Sequence, residues 1–146
     1  MNELPTTFDA VLAAENDGYR ALITLLHDET RALCAGDIGV LERQADAKLA
    51  QVRWLERLFG ERQRLAVQRP ASAPSSPDTE SALALLHERA GEAKRLNALN
   101  GRLIDRRQHY TSRSLAALRD AAGQPALYGA DGQSSHPASA MARATA

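Results

Sequence analysis

Four histidines, one cysteine and an acid-rich N-terminal segment are the side chains of this 146-residue chain that could hold a metal or attack a substrate. His27, His87, His109 and His136 are scattered, with no partner at metal-ligand spacing. His27 and Asp28 are sequence neighbours, so on a helix they point to different faces and do not chelate as an i, i+4 pair would. The six acids of residues 1–36 lack the Glu-x-x-His steps that build a di-iron bundle. Cys34 has only Arg31 near it as an activating cation and reads as a small, half-buried thiol. There is no glycine-rich phosphate loop and no nucleophile elbow. These patterns point away from an enzyme, from a cofactor and from a metal centre.

The arginines Arg102, Arg106, Arg107 and Arg113, with Tyr110 among them, are the remaining chemical signal. A phosphate-binding helix carries such a row, but the net charge of zero and a pI of about 6.9 argue against nucleic acid. A solvated face turned to an acidic partner fits better. Charge is unevenly placed: residues 1–36 hold six acids against Arg20 and Arg31, a net of −4, and residues 81–122 hold eight bases against four acids, a net of +4. Segments of opposite sign attract modestly when packed side by side.

The elements carrying these residues are helical. Apolar residues make up 44% but aromatics only 4%, which suits the narrow Ala/Leu seams of helix-on-helix packing. Phe8, Leu12, Glu15, Tyr19, Leu22, Leu26, Thr30 and Leu33 step by three or four and predict a first helix over about 7–35. Thr6 or Thr7 serves as its cap, Asp9 lies in its first turn and Gly36 closes it. Asp37 caps a second helix over 38–69, with Leu41, Val52, Leu55 and Phe59 on its stripe. A link of only Gly36-Asp37 forces the two into an antiparallel hairpin. The Pro/Ser-rich stretch 70–77 reads as a loop. A third helix follows from Asp78 or Thr79 over 78–122, closed by Gly123 and Pro125. At roughly 65 Å against roughly 45 Å for the others, it must overhang the hairpin or bend, at Gly91 or Gly101. The expected fold is all-α: an antiparallel hairpin plus one long C-terminal helix, a coiled-coil-like three-helix bundle over 1–125. A flexible, disordered tail over 126–146 completes the chain.

Within the third helix two lines run at helical spacing. One is Leu96, Leu99, Leu103 and Tyr110. The other is Ala93, Asn97, Asn100, Ile104, Thr111, Leu115 and Leu118, and it is only partly apolar. Leu127 and Tyr128 then stand alone as large side chains in a polar tail, either folded back on the helix or exposed as a docking peptide. An incompletely apolar helix with such a tail suits reception of another chain. A self-associating coiled-coil structural or adaptor protein is the alternative, but Asn97, Asn100 and Thr111 interrupt the leucine seam it needs. No signal-peptide pattern and no run of ~18 apolar residues is present, so the chain reads as cytoplasmic.

The pattern Asn97-x-x-Asn100-Gly101-x-Leu103-Ile104, a leucine-spaced helix, and then Leu127-Tyr128-Gly129-x-Asp131-Gly132-Gln133 resembles the FlgN family of flagellar type III export chaperones. Gly36-Asp37, Leu41, Lys48 and the segment from Leu55-Glu56 to Arg62 are also similar to that family. The resemblance covers about residues 8–135; the Pro-rich insert and the alanine-rich C-terminus depart from it. It implies a cytosolic chaperone that binds the C-terminal helical segments of hook–filament junction proteins, keeps them unassembled and delivers them to the export gate. The cargo surface so implied comprises Asn97, Asn100, Ile104, Thr111, Leu115, Leu118 and Leu127, and Tyr128 docks on the gate. No nucleic acid and no stable membrane insertion are involved, and a chaperone of this kind can also dimerise when empty.

Overall fold

In a computed structural model, residues 3–70 and 76–123 are described, and they form three helices and no strand: α1 (Phe8–Ala35), α2 (Ile38–Gln68) and α3 (Pro77–Ala121). Each begins and ends for a local reason. The Thr7 hydroxyl accepts the Ala10 N–H at 3.3 Å, and Gly36 closes α1 with φ 77°, donating its N–H to Ala32 O. Asp37, immediately after, accepts the Val40 N–H at 3.0 Å and starts α2. The hairpin is therefore turned by one left-handed glycine and one capping aspartate. At its open end the Arg69 guanidinium lies over the Phe8 ring, 5.4 Å from the centroid.

The start of α3 differs from expectation. The capping oxygen belongs to Ser76, which accepts the Thr79 N–H at 3.1 Å, and Pro77 occupies the first helical position. Proline is favoured there because it has no N–H to leave unpaired and its φ is already helical. The last two residues assigned to the loop thus build the helix.

The chain divides into two units between Asp105 and Arg106. In the first, α1 lies against both other helices. Leu22, Leu26, Leu55 and Ala93 form the core cluster, with Tyr19, Ile23, Val52 and Leu96 packed against it. Val11, Leu12 and Leu58 are also buried. Of the long stripe on α2 only Leu55 and Leu58 are buried. The α1–α2 crossing is tight at Gly18, where a Cβ would stand 2.8 Å from Leu55 Cδ2 and 3.2 Å from Gln51 Nε2; Gln51 donates an N–H to Gly18 O at 2.9 Å.

Gly18 and Gly60 therefore respond oppositely to alanine. Gly60→Ala meets nothing within 4 Å and should stabilise by about 0.5–1 kcal/mol through helix propensity. Gly18→Ala gains the same propensity but displaces the buried Leu55, and overpacking costs about 1–3 kcal/mol. Urea denaturation should show a net loss for Gly18→Ala and a gain for Gly60→Ala; a gain for both would mean that the crossing has slack.

Candidate partner-binding surface

In the first unit, the face that α3 turns to the bundle is set by a strict seven-residue step. Its buried residues are Thr79, Leu86, Ala93 and Asn100, the spacing of a coiled-coil seam. Two of the four are polar, and both are satisfied by α1. The Thr79 hydroxyl donates to Asp9 Oδ1 at 3.0 Å. Asn100 is 1% exposed; its amide nitrogen donates to Leu26 O at 2.9 Å and to Glu29 Oε2 at 2.7 Å, and its oxygen accepts from the Thr30 hydroxyl at 2.6 Å. Glu29 is also gripped from α2, where Lys48 Nζ lies 3.0 and 2.9 Å from its two oxygens. One carboxylate thus joins all three helices.

Further ties fix the other end of this unit. The Asn16 amide nitrogen donates to Leu12 O at 3.1 Å and to Ala82 O at 3.0 Å, and Arg89 donates to Asn16 O at 2.9 Å. Glu15, 2% exposed, pairs with Arg62 of α2. Burial pushes the Glu15 carboxyl above the usual carboxylate range, while the Arg62 hydrogen bond and charge pull it back.

The residues assigned to cargo contact fall into two groups. Asn100 is the correction: it is an interior residue whose hydrogen-bonding groups are occupied, not an open contact. Asn97 and Ile104 are exposed in the first unit. In the second unit Thr111, Leu115 and Leu118 are exposed, the leucines by 49% and 67%, and Tyr110 by 74%. No described residue of α3 after Asn100 is buried. Leu127 and Tyr128 lie outside the described residues. The two lines drawn on α3 also regroup, since Ala93 and Asn100 come from one and Leu96, packed on the core, from the other. By sequence register the line 79-86-93-100 passes to 104-111-118 through a step of four. This is the stutter that lets a seven-residue repeat keep one face of a helix. The position seven beyond Asn100 is Arg107, so a strict heptad seam does not continue.

The signals of reactive chemistry stay dispersed. Among the described residues no group of three or more His, Cys, Asp or Glu is placed to hold a metal ion, and no helix is long and apolar enough to cross a membrane. Cys34 is exposed, contrary to its reading as half-buried, because it lies one position beyond the buried pair Ala32 and Leu33. His27 approaches Glu92 of α3 at 3.9 Å, a tie between solvated side chains.

Fold and surface together define an all-helical protein with a polar-locked bundle in one unit and, among the described residues, an exposed stretch of amphipathic helix in the other. The family model of the FlgN protein matches residues 1–136, and the chain belongs to the FlgN family, a family of flagellar export chaperones. No curated protein and no solved structure matches it.

Two substitutions test the locks. Asn100→Ala strips Glu29 Oε2 and Leu26 O of a donor, while the Thr30 hydroxyl still reaches Leu26 O at 2.9 Å; it should cost about 2 kcal/mol in urea denaturation. An unchanged midpoint would remove the clasp from the stability account. Arg62→Met removes the counter-ion of Glu15. Because the folded chain holds the Glu15 proton more tightly than the unfolded chain, this group's contribution is complete below the ordinary carboxylate value. It is lost as pH rises through the raised folded value. The variant should lose about 3 kcal/mol at pH 7 and less at pH 4.5. An equal loss at both would place the cost in the packing of the arginine stem.

Proposed function

We propose that this chain is a cytosolic chaperone for hook–filament junction proteins, binding their C-terminal helical segments along the exposed part of α3. The observation that carries the reading is the absence of any buried residue after Asn100 among the described residues of α3, although Ile104, Leu115 and Leu118 recur at helical spacing. A row of leucines left in water is costly unless a second chain covers it. Junction proteins polymerise through terminal helices, and a guest helix laid on this row is withheld from assembly by mass action. Thr111 between Ile104 and Leu115 keeps the row from being wholly apolar, which limits self-association of the empty chaperone; the pairing that remains uses the same row. Asn97 lies on the same sequence line, Leu127 extends the cargo surface into the tail, and Tyr128 docks on the export gate. No nucleotide and no bond-making step is needed.

The cargo surface is tested by calorimetric titration of the full chain with the C-terminal helical segment of a junction protein. Leu115→Ser with Leu118→Ser should weaken binding at least tenfold while the thermal midpoint stays put, since neither residue is buried. Undiminished affinity would remove these leucines from the interface. For the docking role, Tyr128→Ala should reduce affinity for the gate's cytoplasmic domain and leave cargo binding alone; unaltered gate affinity would return Tyr128 to a packing role.

A further inference from the structure

The exposed part of α3 carries a second surface of different chemistry, roughly 130° around the helix from Thr111, Leu115 and Leu118. Arg106, His109, Tyr110, Arg113, Ser114 and Ala117 line a shallow hollow of about 500 Å³ in the second unit. Arg106, Tyr110 and Arg113 make no hydrogen bond, ion pair or ring contact among the described residues. In the bundle, by contrast, Arg20, Arg31, Arg62 and Arg64 each hold a carboxylate.

We infer that this hollow docks an acidic segment of a partner protein, at a site separate from the leucine row that takes cargo. The charge is complementary to carboxylates, and the guanidinium fork binds them bidentately. The geometry defines the ligand further. Arg106 and Arg113 are seven residues apart on α3, which sets their Cα atoms about 10 Å apart along the helix axis. The matching ligand presents two carboxylates at that separation on one face, as residues i and i+7 of a helix do. Tyr110, midway between the arginines and 74% exposed, offers a flat apolar ring with a hydroxyl at its edge, so an apolar residue between the acids completes the fit. A second copy of this chain is a poor occupant. No two acidic residues of the chain stand seven apart in sequence, and the α1 carboxylates of Asp9, Glu15, Asp17, Asp28 and Glu29 are already engaged within the bundle. A polyanion is disfavoured by the zero net charge of the chain.

The test uses the full chain and three fluorescent probes in anisotropy titrations. One is a helical peptide with glutamates at i and i+7 flanking a leucine. The second is the same composition with adjacent glutamates, and the third a single-stranded oligonucleotide. The spaced peptide should bind at least fivefold more tightly than the clustered one. Arg106→Glu with Arg113→Glu should weaken it at least tenfold, and Leu115→Ser with Leu118→Ser should not change it. Circular dichroism of the charge-reversed chain reports whether its helix content is kept. If that content falls, Tyr110→Ala, which removes no charge, should still weaken the spaced peptide at least threefold. Equal binding of both peptides, indifference to the arginine and tyrosine changes, or tighter binding of the oligonucleotide would each overturn the assignment.

Discussion

The Glu29 carboxylate is the group on which the arrangement of the three helices turns. It projects from α1, receives the Lys48 ammonium of α2 on both oxygens and the Asn100 amide of α3 on one. The carboxylate is half-buried, and its oxygens are occupied by groups from the two other helices. Its two partners belong to different helices, so one side chain of α1 ties α2 and α3 to it. The Thr30 hydroxyl and the Leu26 carbonyl engage the rest of the Asn100 amide, so the group has one register in which its donors and acceptor are all used. A buried asparagine in a seam of this kind also selects register, because only one alignment satisfies its amide.

Fixing the register at Asn100 also fixes where the bundle's claim on α3 ends. Before it, the helix buries one residue in every seven, and the polar ones among them are held by α1. After it, the residue at the next heptad position is Arg107, and the apolar positions shift by four to Ile104, Thr111 and Leu118. The seam thus ends in an arginine while the apolar spacing continues, leaving Ile104, Leu115 and Leu118 exposed among the described residues. Gly101, next to the clasp, would meet nothing within 4 Å if it carried a Cβ. Its low helix propensity there is not offset by close packing.

Much of the fold is legible in the residues because it is local. Thr7, Gly36 and Asp37 announce the ends of α1 and the start of α2 through capping chemistry, and the two-residue link leaves only an antiparallel hairpin. Ser76 and Pro77 are less visible, since a serine-proline pair closing a Pro-rich stretch looks like more loop until the Thr79 N–H is seen on the serine oxygen. Non-local satisfaction is not legible. An asparagine in an apolar line reads as a gap in the packing, and its acceptors in α1 lie 71 and 74 residues away in sequence. The thinly buried stripe of α2 and the exposure of Cys34 escape for the same reason: spacing shows which side chains share a face, not how closely the neighbouring helix approaches.

Amide hydrogen exchange, followed by mass spectrometry with and without the C-terminal helical segment of a junction protein, tests most directly whether α3 is completed by a guest. In the free chain, amides from 106 to 121 should exchange faster than those from 80 to 100, where α1 holds the helix. Binding should slow the 106–121 amides at least tenfold and leave those of α1 nearly unchanged. If residues 106–121 are as protected alone as 80–100, or if the guest leaves their exchange unaltered, the row is not a cargo surface.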